Sequence, residues 1–140
     1  MLCCLLLWGC FGAPSINVTG TWVGTMEWTS GPAMGFTQPI SFILVHENRA
    51  VSGTVTLPSP GGTTFDIPVV QGSTRNVNIS LVASGTNPLV PGNPVVEFRV
   101  NGEFEQSAMT GDGTQQVGNS VYTFDWQAAL ASEPVTTTGF

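Results

Sequence analysis

The stretch Thr19-Gly20-Thr21-Trp22-Val23-Gly24-Thr25-Met26-Glu27-Trp28-Thr29 decides how this chain folds. Trp22, Met26 and Trp28 occupy the even positions with Gly24 between them, while Thr21, Val23, Thr25 and Glu27 take the odd ones. In a strand, successive side chains point to opposite faces. The tryptophan face therefore predicts the wall of a core, and the threonine face its solvent side.

The alternation recurs toward the C-terminus. Residues 38–46 set Ile40, Phe42 and Leu44 against Ser41, Ile43 and Val45, predicting a strand buried on both sides. Glu47-Asn48-Arg49 turns the chain into residues 50–57, where Val51, Gly53, Val55 and Leu57 face inward and Ser52, Thr54 and Thr56 face water, so the two runs predict a hairpin. After Pro58-Ser59-Pro60-Gly61-Gly62, Phe65, Ile67 and Val69 alternate with Thr64, Asp66 and Pro68, and the proline predicts an edge or irregular strand. Gly72-Ser73 predicts a turn leading to Val77, Ile79 and Leu81, which oppose Asn76, Asn78 and Ser80. A loop at residues 84–94, rich in Pro and Gly, precedes residues 95–104, where Val96, Phe98 and Val100 oppose Glu97 and Arg99. Gly111-Asp112-Gly113 and Gly118-Asn119 read as turns before the last inward stripe of Tyr122, Phe124, Trp126 and Ala128.

No helical period competes with this pattern. The expected fold is all-β: an antiparallel up-and-down meander of seven or eight strands closed into a small barrel, with a two-sheet β-sandwich as the alternative. Closure removes exposed edges and would pair the first and last strands, both tryptophan-bearing.

Composition agrees. Charged residues make up 9% of the 140, against about 25% in an ordinary soluble chain; Thr, Ser, Asn, Gln and Gly supply the polarity in their place. The net charge is −6, and the cations Arg49, Arg75 and Arg99 are scattered. Nucleic acid is excluded as a partner, because neutralising phosphates takes clustered Lys or Arg. Electrostatic docking on anionic lipid is excluded for the same reason.

The first ten residues, MLCCLLLWGC, are apolar, and too few for a span, which takes about 20. Leu7, Gly9 and Cys10 resemble the lipobox of bacterial lipoprotein signals, in which the cysteine thiol receives a diacylglycerol before cleavage. That resemblance implies a signal peptide at residues 1–9, one that starts upstream of Met1, since no Lys or Arg precedes the apolar run. It further implies a lipidated Cys10 with a short linker to residue 18; the strand period then predicts a barrel domain at residues 19–130 and, where the period stops, a loose tail at residues 131–140. Trp8 departs from the pattern, which favours a small or β-branched residue there. A conventional secretory signal and an apolar terminus that is not exported are the other readings. Cys3 and Cys4 would leave with the signal, so the mature domain would carry no thiol chemistry. Phe11 rather than Asp follows Cys10, which by the same resemblance implies anchoring in the outer membrane.

Val18-Thr19-Gly20-Thr21-Trp22-Val23-Gly24-Thr25 resembles the first strand of calycin-type barrels, the lipocalins and avidins, where a Gly-x-Trp plugs one end of the barrel. Val51-Ser52-Gly53-Thr54-Val55 repeats the style. The chain is also similar to small bacterial lipoproteins that follow a lipobox with a Gly-Thr-Trp strand. The resemblance implies a barrel able to hold a small apolar ligand, but residues 121–130 lack the arginine that lipocalins bring across the tryptophan, and Arg99 lies in an earlier strand. No ligand residues carry over. Inward alternation nominates Trp22, Met26, Trp28, Phe42, Phe98 and Trp126 as the interior lining.

No catalytic constellation emerges. His46 is the sole histidine, reads as a turn residue beside Glu47, and has no nucleophile motif to serve. Glu103 and Glu105 share one strand face, unlike the opposed carboxylates of a glycosidase. Thr110-Gly111-Asp112-Gly113 lacks the ligands of a calcium loop, and no phosphate loop is present. Asn17-Val18-Thr19 and Asn78-Ile79-Ser80 fit glycosylation sequons, relevant only in a eukaryotic secretory pathway. The expectation is a non-enzymatic envelope lipoprotein without metal or cofactor, held at a membrane by its lipid anchor and binding a small apolar ligand or an envelope protein. The alternative is a protein- or polysaccharide-interaction module with no internal pocket.

Overall fold

The computed structural model describes residues 17–59 and 62–132. Among them are eight strands: β1 (Gly20–Trp28), β2 (Thr37–Glu47), β3 (Ala50–Pro58), β4 (Thr64–Arg75), β5 (Asn78–Thr86), β6 (Val95–Glu105), β7 (Ala108–Val117) and β8 (Ser120–Ser132). Each pairs antiparallel with the next, and β1 pairs with β8, which closes the barrel. The all-β meander and the pairing of the first and last strands are therefore observed as expected. Residues 1–16, which include Cys10, and residues 133–140 lie outside the described residues; of the tail expected at residues 131–140, residues 131 and 132 belong to β8.

The interior is filled. Trp22, Met26, Phe42, Phe98 and Phe124 are all but inaccessible, and the rings pack on one another. Phe98 stacks on Phe124 at 5.2 Å, Phe42 tilts against Trp126 at 5.3 Å, and Trp22 meets Phe104 edge-to-face at 5.7 Å. An eight-stranded barrel is just wide enough for its own side chains. Each large apolar side chain so buried contributes about 1.5–3 kcal/mol.

These rings dictate where glycine must stand. Gly111, Asp112 and Gly113, expected as a turn, lie in the middle of β7, with Gly111 opposite Trp126 and Gly113 opposite Phe124. A Cβ on Gly113 would come within 2.7 Å of the Phe124 ring, and one on Gly111 would run into the Asn101 carbonyl. The Trp126 indole lies over Gly102 of β6, where a Cβ would stand 2.6 Å away, and its Nε1 donates to the Asp112 carbonyl at 3.1 Å. Gly72-Ser73 likewise belongs to β4, not to a turn. The chain reverses at Asn76-Val77, where Asn76 has φ 59°. Asn48 and Gln106 take the same left-handed conformation in the neighbouring two-residue turns.

Two further expectations are corrected. β2 is not buried on both sides, because Ile43 and Val45 are about half exposed on the outer wall. Pro68 is not at an edge: β4 is bonded on both sides, and its irregularity appears as register shifts toward β3 and β5.

One end is sealed by the segment entering β1. Val18 is fully buried, and its carbonyl accepts the Trp22 Nε1 hydrogen at 2.8 Å. Its amide donates to His46 Nδ1 at 3.1 Å, which leaves the ring proton on Nε2 to reach Thr74 Oγ1 at 3.0 Å. His46, expected at the end of its strand beside the turn, stands there in β2, and its ring ties the entering chain to β4.

On the outer wall, Glu27, Asp125 and Asp112 are direct neighbours across β1, β8 and β7. Like charges so placed repel. Asp125→Asn is expected to raise the unfolding free energy, read by urea titration, by roughly 0.2–1 kcal/mol at low salt, and the gain should vanish in 1 M salt, where the Debye length is about 3 Å. The β7 glycines give a second test. Gly111→Ala should cost about 1–3 kcal/mol by overpacking, with Asp112→Ala near neutral or stabilising in the same urea titration; equal tolerance at both positions would mean that the segment is not a strand.

Candidate functional site

The connections at residues 29–36, 87–94 and 118–119, and the described ends of the β3–β4 connection at Ser59 and residues 62–63, lie at the end away from Val18, where β1 finishes. None of them contains a charged residue. The opposite end carries Glu47, Arg49, Arg75, Glu103 and Glu105. The uncharged end is the mouth, and it encloses a cavity of about 230 Å³ lined by Trp28, Ser30, Pro32, Ala33, Gln38, Pro58, Ser59, Gln115 and Tyr122.

Strand register places the principal groups. Trp28 ends β1, and its ring lies edge-to-face with Phe124 at 5.5 Å and with Tyr122 at 6.4 Å. Its Nε1 is engaged, donating to Gln38 Oε1 at 2.6 Å. Gln115 pairs with Tyr122 across β7 and β8, one inward step beyond Gly113. Gln115 Oε1 is buried and has no hydrogen-bond partner, alone in this among the described residues.

The loops framing the cavity are tied down. Gly31 has φ +85°, and a Cβ there would collide with the Tyr122 ring, so the β1–β2 loop can lie against that ring only with glycine at this position. Ser30 Oγ accepts the Thr123 amide at 2.9 Å. Across the mouth, buried Asn87 donates through Nδ2 to Ser59 Oγ at 3.0 Å and accepts the Leu89 amide at 2.9 Å. A site whose supporting groups are already fixed loses less entropy on binding.

Two larger grooves, of about 540 and 560 Å³, run along the outer wall, one over Arg75, Asn78 and Glu103 and the other over Glu27, Asp125 and Gln127. Their polar side chains are exposed to water. The smaller mouth cavity is the stronger candidate, since it alone combines rings with a buried, unpaired polar atom.

Of the six residues nominated from sequence, Trp28 lines this cavity, while Trp22, Met26, Phe42, Phe98 and Trp126 are buried in the core. Sequence reasoning missed Gln115, Gln38 and Ser30. The signal for Gln115 was its step of two from Gly111 and Gly113. Glu103 and Glu105 are exposed, and no group of three His, Cys, Asp or Glu among the described residues is placed to hold a metal.

No protein-family model, curated protein or solved structure matches the chain. The eight-stranded up-and-down barrel is compatible with a calycin-like architecture.

An unpaired buried acceptor costs about 1–3 kcal/mol. Gln115→Leu is therefore expected to stabilise the unliganded barrel by about that amount, read from the denaturant midpoint at unchanged slope. A loss of stability would mean that the oxygen is satisfied in solution.

Proposed function

We propose that this chain is a non-catalytic binding protein of the bacterial cell envelope, tethered through Cys10, whose barrel mouth holds a small uncharged group. The observation that carries this reading is the unpaired Gln115 Oε1 beside the rings of Trp28 and Tyr122. The packed interior leaves no room for an extended apolar chain, and about 230 Å³ is below the roughly 300–1,000 Å³ usual for drug-sized ligands, so the small ligand expected from the sequence is placed at the mouth in this reading. A charged ligand would be stripped of water without an opposite charge to meet it. Nothing in the lining pairs a nucleophile with a base, which supports binding rather than turnover.

The geometry suits a tether. The chain enters the barrel at Val18, at the end remote from the mouth. A linker from Cys10 to that point spans at most about 29 Å. A lipid on Cys10 would hold the charged end toward its membrane and turn the mouth away from it.

Intact mass tests the anchor, on protein expressed in a bacterial host from its full upstream reading frame. The wild type is expected to be cleaved before Cys10 and to carry acyl chains, with both changes absent in Cys10→Ser. An unacylated wild-type chain would remove the anchor from this reading and leave the mouth as its remaining part.

A further inference from the structure

We infer that the group entering the mouth is a tyrosine or tryptophan side chain presented by a partner protein that seats on the rim, an inference that rests on the mouth being the binding site. The rim is apolar on two opposite sides. Met34 and Phe36 of the β1–β2 connection are 62% and 66% exposed, and Leu89 and Val95 about half exposed across the barrel, where β5 is joined to β6. Exposed apolar groups thus flank the concavity on both sides, and none of the four connections carries a charge, a composition that suits a contact surface. A bilayer is the poorer occupant, because the rim offers no cation to the headgroups. A neutral glycan would leave the aliphatic tips without a counterpart.

The cavity then selects the anchor. Side chains that dominate protein interfaces are chiefly Trp, Tyr and Arg. Arginine is excluded because the lining has no carboxylate to pair with a buried charge. Phenylalanine and leucine fill space but leave Gln115 Oε1 unpaired, at undiminished cost. Tyrosine and tryptophan bring a ring together with one O–H or N–H donor. The terminal amide torsion of Gln115 is soft, so a small rotation brings its oxygen to that donor while the ring packs beside Trp28 and Tyr122.

The test follows the Gln115 side-chain amide by NMR in the full-length protein. The probes are N-acetyl-tyrosinamide, N-acetyl-tryptophanamide, N-acetyl-phenylalaninamide and, separately, N-acetylglucosamine. The tyrosine and tryptophan amides should shift the resonance saturably, with phenylalanine at least about tenfold weaker. In Gln115→Leu, followed through the Tyr122 ring, that preference should disappear. A constrained-peptide library selected on the wild-type protein should fix Tyr or Trp at one position, and the selected peptides should bind at least about tenfold more weakly to Phe36→Ser/Leu89→Ser. Equal binding of phenylalanine, or peptides without a fixed aromatic donor or indifferent to the rim change, would overturn the inference. A response to the sugar alone would overturn it while preserving the mouth as a binding site, and no response to any probe would overturn both.

Discussion

The pairing of β1 with β8 is the constraint on which the rest of the molecule depends. It removes the two edges that an eight-stranded meander would otherwise expose, and it fixes the circumference and hence the width of the interior. The register opposes Met26 to Trp126 and Trp28 to Phe124. The seam is tight, since a Cβ on Gly24 would run into the Gln127 carbonyl of β8. Backbone pairing and aromatic packing are thus achieved by the same residues. Weakening the seam would expose rings and unpaired amides together.

That coupling explains which parts of the fold were legible in the sequence. β1, β3, β5, β6 and β8 carry mainly apolar residues at the inward positions and mainly polar ones outside, so period two reveals them directly. β7 does not, because its inward positions include Gly111, Gly113 and Gln115. Trp126 and Phe124 occupy the space that β7 side chains would take. The bulk of one strand sets the small residues of the next, and a reading confined to one segment mistakes the result for a turn. Gly72 repeats the case beside Leu81, whose Cδ2 would lie 2.8 Å from a Cβ there. The outward Ile43 and Val45 misled for another reason: with few charged residues in the chain, apolar side chains make up part of the outer surface.

The candidate site was legible only in part. Trp28 shares its alternation with Trp22 and Met26, and nothing local separates a core tryptophan from one at the rim. The difference lies in the row: Trp28 ends its strand at the mouth, while Trp22 sits over the Val18 seal. Assigning rows needs the register between strands. The division of charge between the two ends also waits on topology, because residues 29–36, 87–94 and 118–119 are remote in sequence until the barrel brings them to one end. Two-residue turns close the charged end, while three of the four connections at the mouth are longer, as suits the end proposed to bind.

The contrast between interior and mouth gives the functional reading its weight. Inside, glycine and aromatic bulk are matched along β7 and β8, and both indole donors there, on Trp22 and Trp126, find backbone acceptors. A sequence that fits its core so closely carries no general tolerance for unsatisfied groups. At the mouth the same chain holds Gln115 Oε1 without a partner and spends a left-handed glycine at residue 31 to lay a loop against Tyr122. An unpaired buried polar atom in an otherwise satisfied set of described residues is the kind of exception that marks a functional site rather than a stabilising one. A leucine at residue 115 would suit the apolar surroundings of Trp28 and Tyr122 better as a matter of folding alone. In the proposed reading, the glutamine is explained by the donor it would meet when the mouth is filled.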